Sequence, residues 1–354
     1  MNKKVVGLGL ATVAVFGLAA CSSRTAKKSE SSSDSSSIKA AIVTDIGGID
    51  DRSFNQSAWE GLQAWGKEAG LKKDNGFTYF QSGSESEYIT NLDAAVSGGY
   101  NLVFGIGFAL ENAINEVAPN HPDTKYAIVD SVVEQPNVVS IGFADHESSY
   151  LAGVAAAKST KTKHVGFIGG MQGVIIDRFE AGFVEGVKSV DKNIKITIDY
   201  AGSFGDAAKG QTLAAAQYAS GADIIFHASG GTGNGVFAAA KSENETRNEA
   251  DKVWIIGVDR DQSGEGEYTS KDGKKSNFVL ASTLKEVGTS VKDIATKAAK
   301  GEFDGGKTLR YSLKDKGVEL AETNLSEEAS KAVAAAKEDI LNGKVKVPET
   351  PAKK

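Results

Sequence analysis

From Ile38 onward, short apolar runs alternate with stretches whose apolar residues recur every three or four positions. Ile38 to Thr44 reads as a buried strand, and Ala58, Leu62, Trp65 and Ala69 then mark one helix face. Strands are expected at Phe77–Gln81, Tyr100–Gly105, Lys125–Asp130 and Val138–Phe143, with helices at Ser86–Ser97 and about Ala109–Val117. The pattern then restarts. A helix over 147–158 precedes a strand at His164–Ile168, and Phe179, Phe183 and Val187 line one face of the next helix. Ile194–Tyr200, Asp223–His227, Val253–Val258 and Phe278–Thr283 read as strands, and Ala207–Ala219, Gly235–Lys241 and Lys285–Lys300 as helical. A last helix has Ser326 as N-cap, Glu327 and Glu328 in its first turn, and Asn342-Gly343 as its stop.

Strands alternating with helices predict an α/β protein with parallel sheets flanked by helices. Two series of similar length predict two such lobes. Ligands of open α/β sheets bind outside the carboxyl ends of the strands, so the residues just after each strand are the place to look for chemistry.

The first 37 residues break the pattern. Lys3 and Lys4 precede an apolar run from Val5 to Ala20, which is the anatomy of a secretion signal. The run is short of the roughly 20 apolar residues of a membrane span. It ends in Leu18-Ala19-Ala20-Cys21, a match to the bacterial lipobox, so residues 1–20 are expected to be a leader and Cys21 the site of lipidation. Ser22 to Ser37 is serine-rich with nothing to bury, so 21–37 is expected to be a flexible leash. The protein is therefore expected on the outer face of the bacterial cell membrane, held by lipid.

Composition narrows the chemistry. The chain has 354 residues, of which 40% are hydrophobic and 24% charged, with a net charge of −6. That acidity gives no reason to bind nucleic acid or anionic lipid by charge. Cys21 is the only cysteine, which leaves no disulfide and no cysteine zinc site. The four histidines, His121, His146, His164 and His227, show no metal spacing, and no metal or cofactor is expected. Gly105-x-Gly107 and Gly231-x-Gly233 both lack the third glycine of a dinucleotide fingerprint, and no Walker lysine is present. Ser53, Ser131 and Ser282 lack a nucleophile-elbow context, and no catalytic constellation is visible.

The strand ends are richer. After the first strand comes Thr44-Asp45-Ile46-Gly47-Gly48-Ile49-Asp50-Asp51-Arg52-Ser53-Phe54-Asn55-Gln56, a glycine loop with carboxylates and then an aromatic and an amide entering a helix. Later ends carry Gly107-Phe108, Asp130-Ser131, Gly202-Ser203-Phe204-Gly205, Gly230-Gly231, Gly257-Val258-Asp259 and Ser282-Thr283-Leu284-Lys285. Phe54 and Phe204 sit among Gly, Ser and Asp rather than apolar neighbours, which favours ligand contact over core. Phe179 and Phe183 have core spacing, and Phe108 suits either role. Asp259 can bind the two hydroxyls of a diol or simply cap a turn. Asp45, Asn55 and Asp130 can be site residues or turn supports, and Asp51 fits a helix cap. Lys285, read as opening a helix, is an unusual cation at a helix start.

Gly-Gly-x-x-Asp-x-Ser-Phe-Asn-Gln, Ile-Gly-Val-Asp-x-Asp-Gln and Ser-Thr-Leu-Lys, in this order, resemble the basic membrane protein family of lipoproteins, in particular its PnrA-like purine-nucleoside receptors. The resemblance runs from the lipobox to the final helix, with a polar departure at Glu265 to Asn277. It implies the type I periplasmic-binding-protein fold, two Rossmann-like lobes joined by three crossovers, and a monomer that binds a purine nucleoside and hands it to an ABC permease. It places Phe54 and Phe204 around the base, Asp45, Asn55 and Asp130 at or near the base edge, and Asp259 and Lys285 on the ribose. Gly231 would let the backbone approach the sugar. Crossovers are expected near Phe143, Gly257 and Ser282, so lobe one would be 38–143 plus 257–281, lobe two 144–256 plus 282–347, and 348–354 a tail. A sugar or signalling-molecule receptor of the same fold, an extracellular nucleoside hydrolase and a host-adhesion role remain the alternatives.

Overall fold

The computed structural model describes residues 37–352. The leader, the lipobox with Cys21 and the leash lie outside the described residues, apart from Ser37.

Lobe one begins with β1 (Ala40–Thr44), α1 (Phe54–Glu68), β2 (Phe77–Phe80), α2 (Tyr88–Ser97), β3 (Leu102–Ile106), α3 (Glu111–Val117), β4 (Lys125–Val129) and β5 (Val138–Phe143). Every residue of β1 and β3 is buried, as expected of parallel strands covered on both faces. Lobe two follows with α4 (Asp145–Ser159), β6 (His164–Gly169), α5 (Val174–Val190), β7 (Lys195–Tyr200), α6 (Ala207–Ala219), β8 (Ile224–Ala228), α7 (Gly233–Glu245) and β9 (Trp254–Gly257). Helix α4 buries Asp145, His146 and every residue from Ser148 to Ala156, because helices and strands pack around it.

The rest of the chain weaves between the lobes. A small hairpin of β10 (Glu267–Thr269) and β11 (Lys275–Asn277) precedes β12 (Val279–Lys285), α8 (Val287–Ala299), β13 (Thr308–Tyr311), β14 (Val318–Glu322) and α9 (Glu327–Leu341). One six-stranded sheet has the order β13-β5-β4-β3-β1-β2, and the other β14-β12-β9-β8-β6-β7. β13 pairs parallel with β5, and β14 antiparallel with β12.

The chain thus changes sheets three times, as expected, but at different places. The first change, between β5 and α4, lies where Phe143 was expected to mark it. The other two follow Lys285 and Tyr311, not Gly257 and Ser282. Residues 257–281 therefore do not return to lobe one: β9 pairs with β8 and with β12, so this stretch extends the second sheet. Helix α8, expected in lobe two, instead packs on α1 of lobe one. The polar stretch at Glu265–Asn277 forms the β10–β11 hairpin. The C-terminal segment is tied down, with Glu349 paired to Arg178 at 3.1 Å and to Arg310 at 2.8 Å. Among the described residues no helix is long and apolar enough to cross a membrane.

Candidate functional site: the interlobe cleft

The loop after β1 is organised by its carboxylates. Asp51 accepts the backbone N–H groups of Ser53 at 2.8 Å, Asn55 at 2.8 Å and Gln56 at 3.0 Å. It thereby satisfies free amides at the start of α1 and sets Phe54 at the first helical residue. The helix-cap reading of Asp51 holds, although Asp51 also lines the cleft. Asn55 donates its side-chain amide to Asp45 at 2.8 Å and to Asp51 at 3.0 Å, which leaves Asn55 Oδ1 buried with no partner in the protein. Asp45 also accepts the N–H of Gly47 at 2.8 Å. Burial pushes the Asp45 carboxyl up to about 6, only partly offset by these hydrogen bonds. Gly107 holds the far side of this corner: its φ of +110° is closed to most side chains, and a Cβ there would lie 3.3 Å from Asp45 Oδ2.

A buried charge cluster forms the floor. Lys285 closes β12 rather than opening a helix, so the helix-start mismatch does not arise. Its ammonium donates to Asp130 Oδ2 at 2.6 Å and lies 3.1 Å from Asp145 Oδ1, without hydrogen-bond geometry to the latter. Its backbone N–H donates to the carbonyl of Asp259 at 2.9 Å. Asp259 accepts the Ser53 hydroxyl from lobe one. Asp130 and Asp259 adopt φ of 66° and 68°, a left-handed conformation that few residues other than glycine tolerate and that is common at functional sites.

One ammonium cannot hold all these carboxyls ionised. Burial pushes Asp259 up to about 7 and Asp145 up to about 6 against the pull of Lys285. Burial alone would lower Lys285, but Asp130, Asp145 and Asp259 together outweigh it and hold the ammonium charged well above its ordinary range. Asp130 Oδ1 is buried with no partner. The ammonium also lies 5.2 Å from the ring centroids of Phe54 and Phe143 and 5.6 Å from that of Phe179.

The remaining wall is apolar. Phe204 is half-buried after β7, and its ring occupies the space a Cβ on Gly170 would need, at 2.3 Å. Its edge meets Phe108 with centroids 6.0 Å apart and planes at 74°. Asp45, Phe54, Asn55, Phe108, Asp130, Phe204, Asp259 and Lys285 all line one cavity, with about 50 Å³ of open space in its interior.

Two placements differ from the expected ones. Gly231 does not line the cavity, since Gly230, with φ of 54°, carries the chain past it and Gly231 turns toward the Phe204 carbonyl. Phe179, read as core, is buried and also faces the cavity, whereas Phe183 stays wholly in the core of lobe two. Ile175 and Ile176 at the start of α5, together with Ser229 and Val258, complete the wall and were not foreseen. Asp145 was missed because an acid in the first turn of a helix is ordinary by sequence, and only the fold brings it to Lys285.

The profile of a family described as "ABC transporter substrate-binding protein PnrA-like" matches residues 38–351. The chain belongs to this PnrA-like family. A relative from Lactococcus lactis subsp. cremoris, named "ABC transporter nucleoside-binding protein BmpA", is 57% identical over 98% of this chain and 99% of its own length. "Basic membrane protein D" of Borreliella burgdorferi is 33% identical over 94% of this chain and 92% of its own. Among solved structures, an ABC transporter solute-binding protein from Aeropyrum pernix K1 superposes with a TM-score of 0.77 at 24% identity, covering 89% of this chain and 94% of its own. At that identity the likeness speaks for the fold alone. The PnrA-like chain is thus a substrate-binding protein of an ABC transporter, with the type I periplasmic-binding-protein fold.

Proposed function

We infer that this protein binds purine nucleosides such as guanosine, adenosine and inosine in the cleft and delivers them to a membrane permease. The observation that carries the reading is one cavity with a phenylalanine from each lobe beside acceptors, Asn55 Oδ1 and Asp130 Oδ1, that no protein group satisfies. Phe54 and Phe204 are assigned to the two faces of the base, where stacking is worth about 1–3 kcal/mol per base. Asp45 and Asn55 take the base edge: a carboxylate accepts from ring N–H and exocyclic amino groups, and an amide both donates and accepts. Asp259 accepts both ribose hydroxyls, and Lys285 donates to ribose oxygen from an ammonium already steadied by Asp130. The name of the Lactococcus relative supports a nucleoside as the ligand class. The leader and lipobox support a lipid-anchored protein on the outer face of the cell membrane, where the anchor raises the local concentration at the permease.

Calorimetry on the folded domain tests the reading. Guanosine, adenosine and inosine should bind without release of free base over hours. Binding of a hexose with no nucleoside binding would make this a sugar receptor, and release of free base would make it a hydrolase.

A further inference from the structure

Gln262 ends the Ile256–Gln262 motif, and the binding scheme above leaves it unused. It lies behind the cavity wall at 4% exposure with every polar group engaged. Its backbone N–H donates to Ser282 Oγ at 3.1 Å. Its Oε1 accepts the N–H of Val258 at 2.9 Å and lies 3.0 Å from His227 Nε2. All of these partners belong to lobe two. Its Nε2 points the other way and donates at 2.9 Å to the carbonyl of Arg52, in the loop between β1 and α1 of lobe one.

The chemistry fixes the polarity of this chain. The Val258 N–H can only donate, so the oxygen of Gln262 must face it and the amide nitrogen must face Arg52. That oxygen needs a hydrogen from His227, which therefore carries its proton on Nε2. His227 Nδ1, 3.2 Å from Ser229 Oγ, then accepts from the Ser229 hydroxyl. Ser229 lines the cavity. At the other end, Arg52 has φ of 58°, and the next two residues are Ser53, bonded to Asp259, and Phe54. A continuous hydrogen-bonded chain, buried as far as Gln262, thus runs from the lobe-two wall to the loop that presents Phe54.

We propose that Gln262 is a positioning residue for ligand binding, its side-chain amide serving as the cross-lobe latch that seats the Phe54 loop over the bound molecule. This rests on the nucleoside reading of the cleft. A bond made only when the lobes meet acts on release rather than on encounter.

Gln262→Glu separates the latch from local support. At pH 9, where the introduced carboxyl is ionised, it still accepts from Val258 and His227 but offers the Arg52 carbonyl only lone pairs. Stopped-flow titration with inosine should show the dissociation rate rising roughly tenfold, with the association rate within about twofold and the ligand-free melting temperature within a few degrees. Glu265→Gln, which removes only the exposed contact with the Arg52 guanidinium, should change neither rate. An unchanged dissociation rate in Gln262→Glu overturns the latch. If inosine does not bind the wild type, the nucleoside reading has failed, not the latch. In that case, or if Gln262→Glu does not fold, hydrogen exchange of the Gln262 side-chain amide in the wild-type protein decides. Protection from exchange supports the latch, and exchange as fast as an exposed glutamine overturns it.

Discussion

Lobe one meets the cleft with Asp45, Asp51, Asn55 and Asp130 beside Phe54 and Phe108, whereas lobe two meets it with Ile175, Ile176, Phe179, Phe204, Ala228 and Val258 beside Ser229, Asp259 and Lys285. The difference extends to how the polar atoms are used. In lobe one, Asn55 Oδ1 and Asp130 Oδ1 have no protein partner. In lobe two, Asp259 and Lys285 are bonded across the cleft to Ser53 and Asp130. The acceptors left free for a ligand thus lie in lobe one, whereas the polar groups of lobe two also hold the lobes together. A receptor that must both discriminate and close can divide those tasks between its lobes, and each task fails in a different measurement.

The lock has the largest expected effect. Lys285→Met leaves Asp130, Asp145 and Asp259 buried without their cation, and losing one partner of a buried pair costs about 3–5 kcal/mol. Urea unfolding at pH 7 should show that loss, and the deficit should shrink by pH 5 as Asp145 and Asp259 become neutral. A variant as stable as the wild type at pH 7 would mean that the cluster contributes nothing to holding the fold.

Asp259 comes next, and its effect is read against pH. Asp45, Asp145 and Asp259 keep their protons in the folded protein at pH values where the unfolded chain has lost them. The folded state binds the excess protons between the ordinary carboxylate value of 3.8 and about 7, so ligand-free stability falls as pH rises through that window. Asp259→Asn should flatten the upper part of that fall in a series of thermal melts. On the proposed contact of Asp259 with the ribose hydroxyls, which takes an ionised carboxylate, inosine affinity should rise between pH 6 and 8 in the wild type and stay flat in the variant. At pH 8 the variant should bind about 1.5–3 kcal/mol more weakly, the usual range for a hydrogen bond to a charged group. A free base such as hypoxanthine should bind both proteins equally.

The cover is the smallest of the three. Phe204→Ala should cost about 1–3 kcal/mol of nucleoside binding with little change in the ligand-free melt, since Phe204 is half-buried in a loop. Phe183→Ala, from the core of the same lobe, should instead cost about 3–5 kcal/mol of stability. Unchanged affinity with a large fall in melting temperature would return Phe204 to the core.

The same contrast marks what the sequence can reveal. Strands such as β1 and β3 are legible because burial on both faces writes an uninterrupted apolar run. β13 and β14 are not, because they are only partly buried. The crossovers were misplaced for a related reason: which sheet receives β9 and β12 is decided by pairing partners far along the chain. Phe54, Phe204 and Asp259 stood out because their local setting is wrong for core. Asp145, Ile175 and Phe179 did not, since each looks ordinary on its own helix and acquires a role only when two lobes share a cleft.

The central claim, that the cleft is built for a purine nucleoside, is tested most directly by native mass spectrometry of the folded domain as purified. The account predicts a bound species whose mass, after denaturation, is that of a purine nucleoside, displaced by added inosine and retained in the presence of excess hexose. A co-purified sugar, or a protein that takes up hexose and ignores inosine, would contradict it.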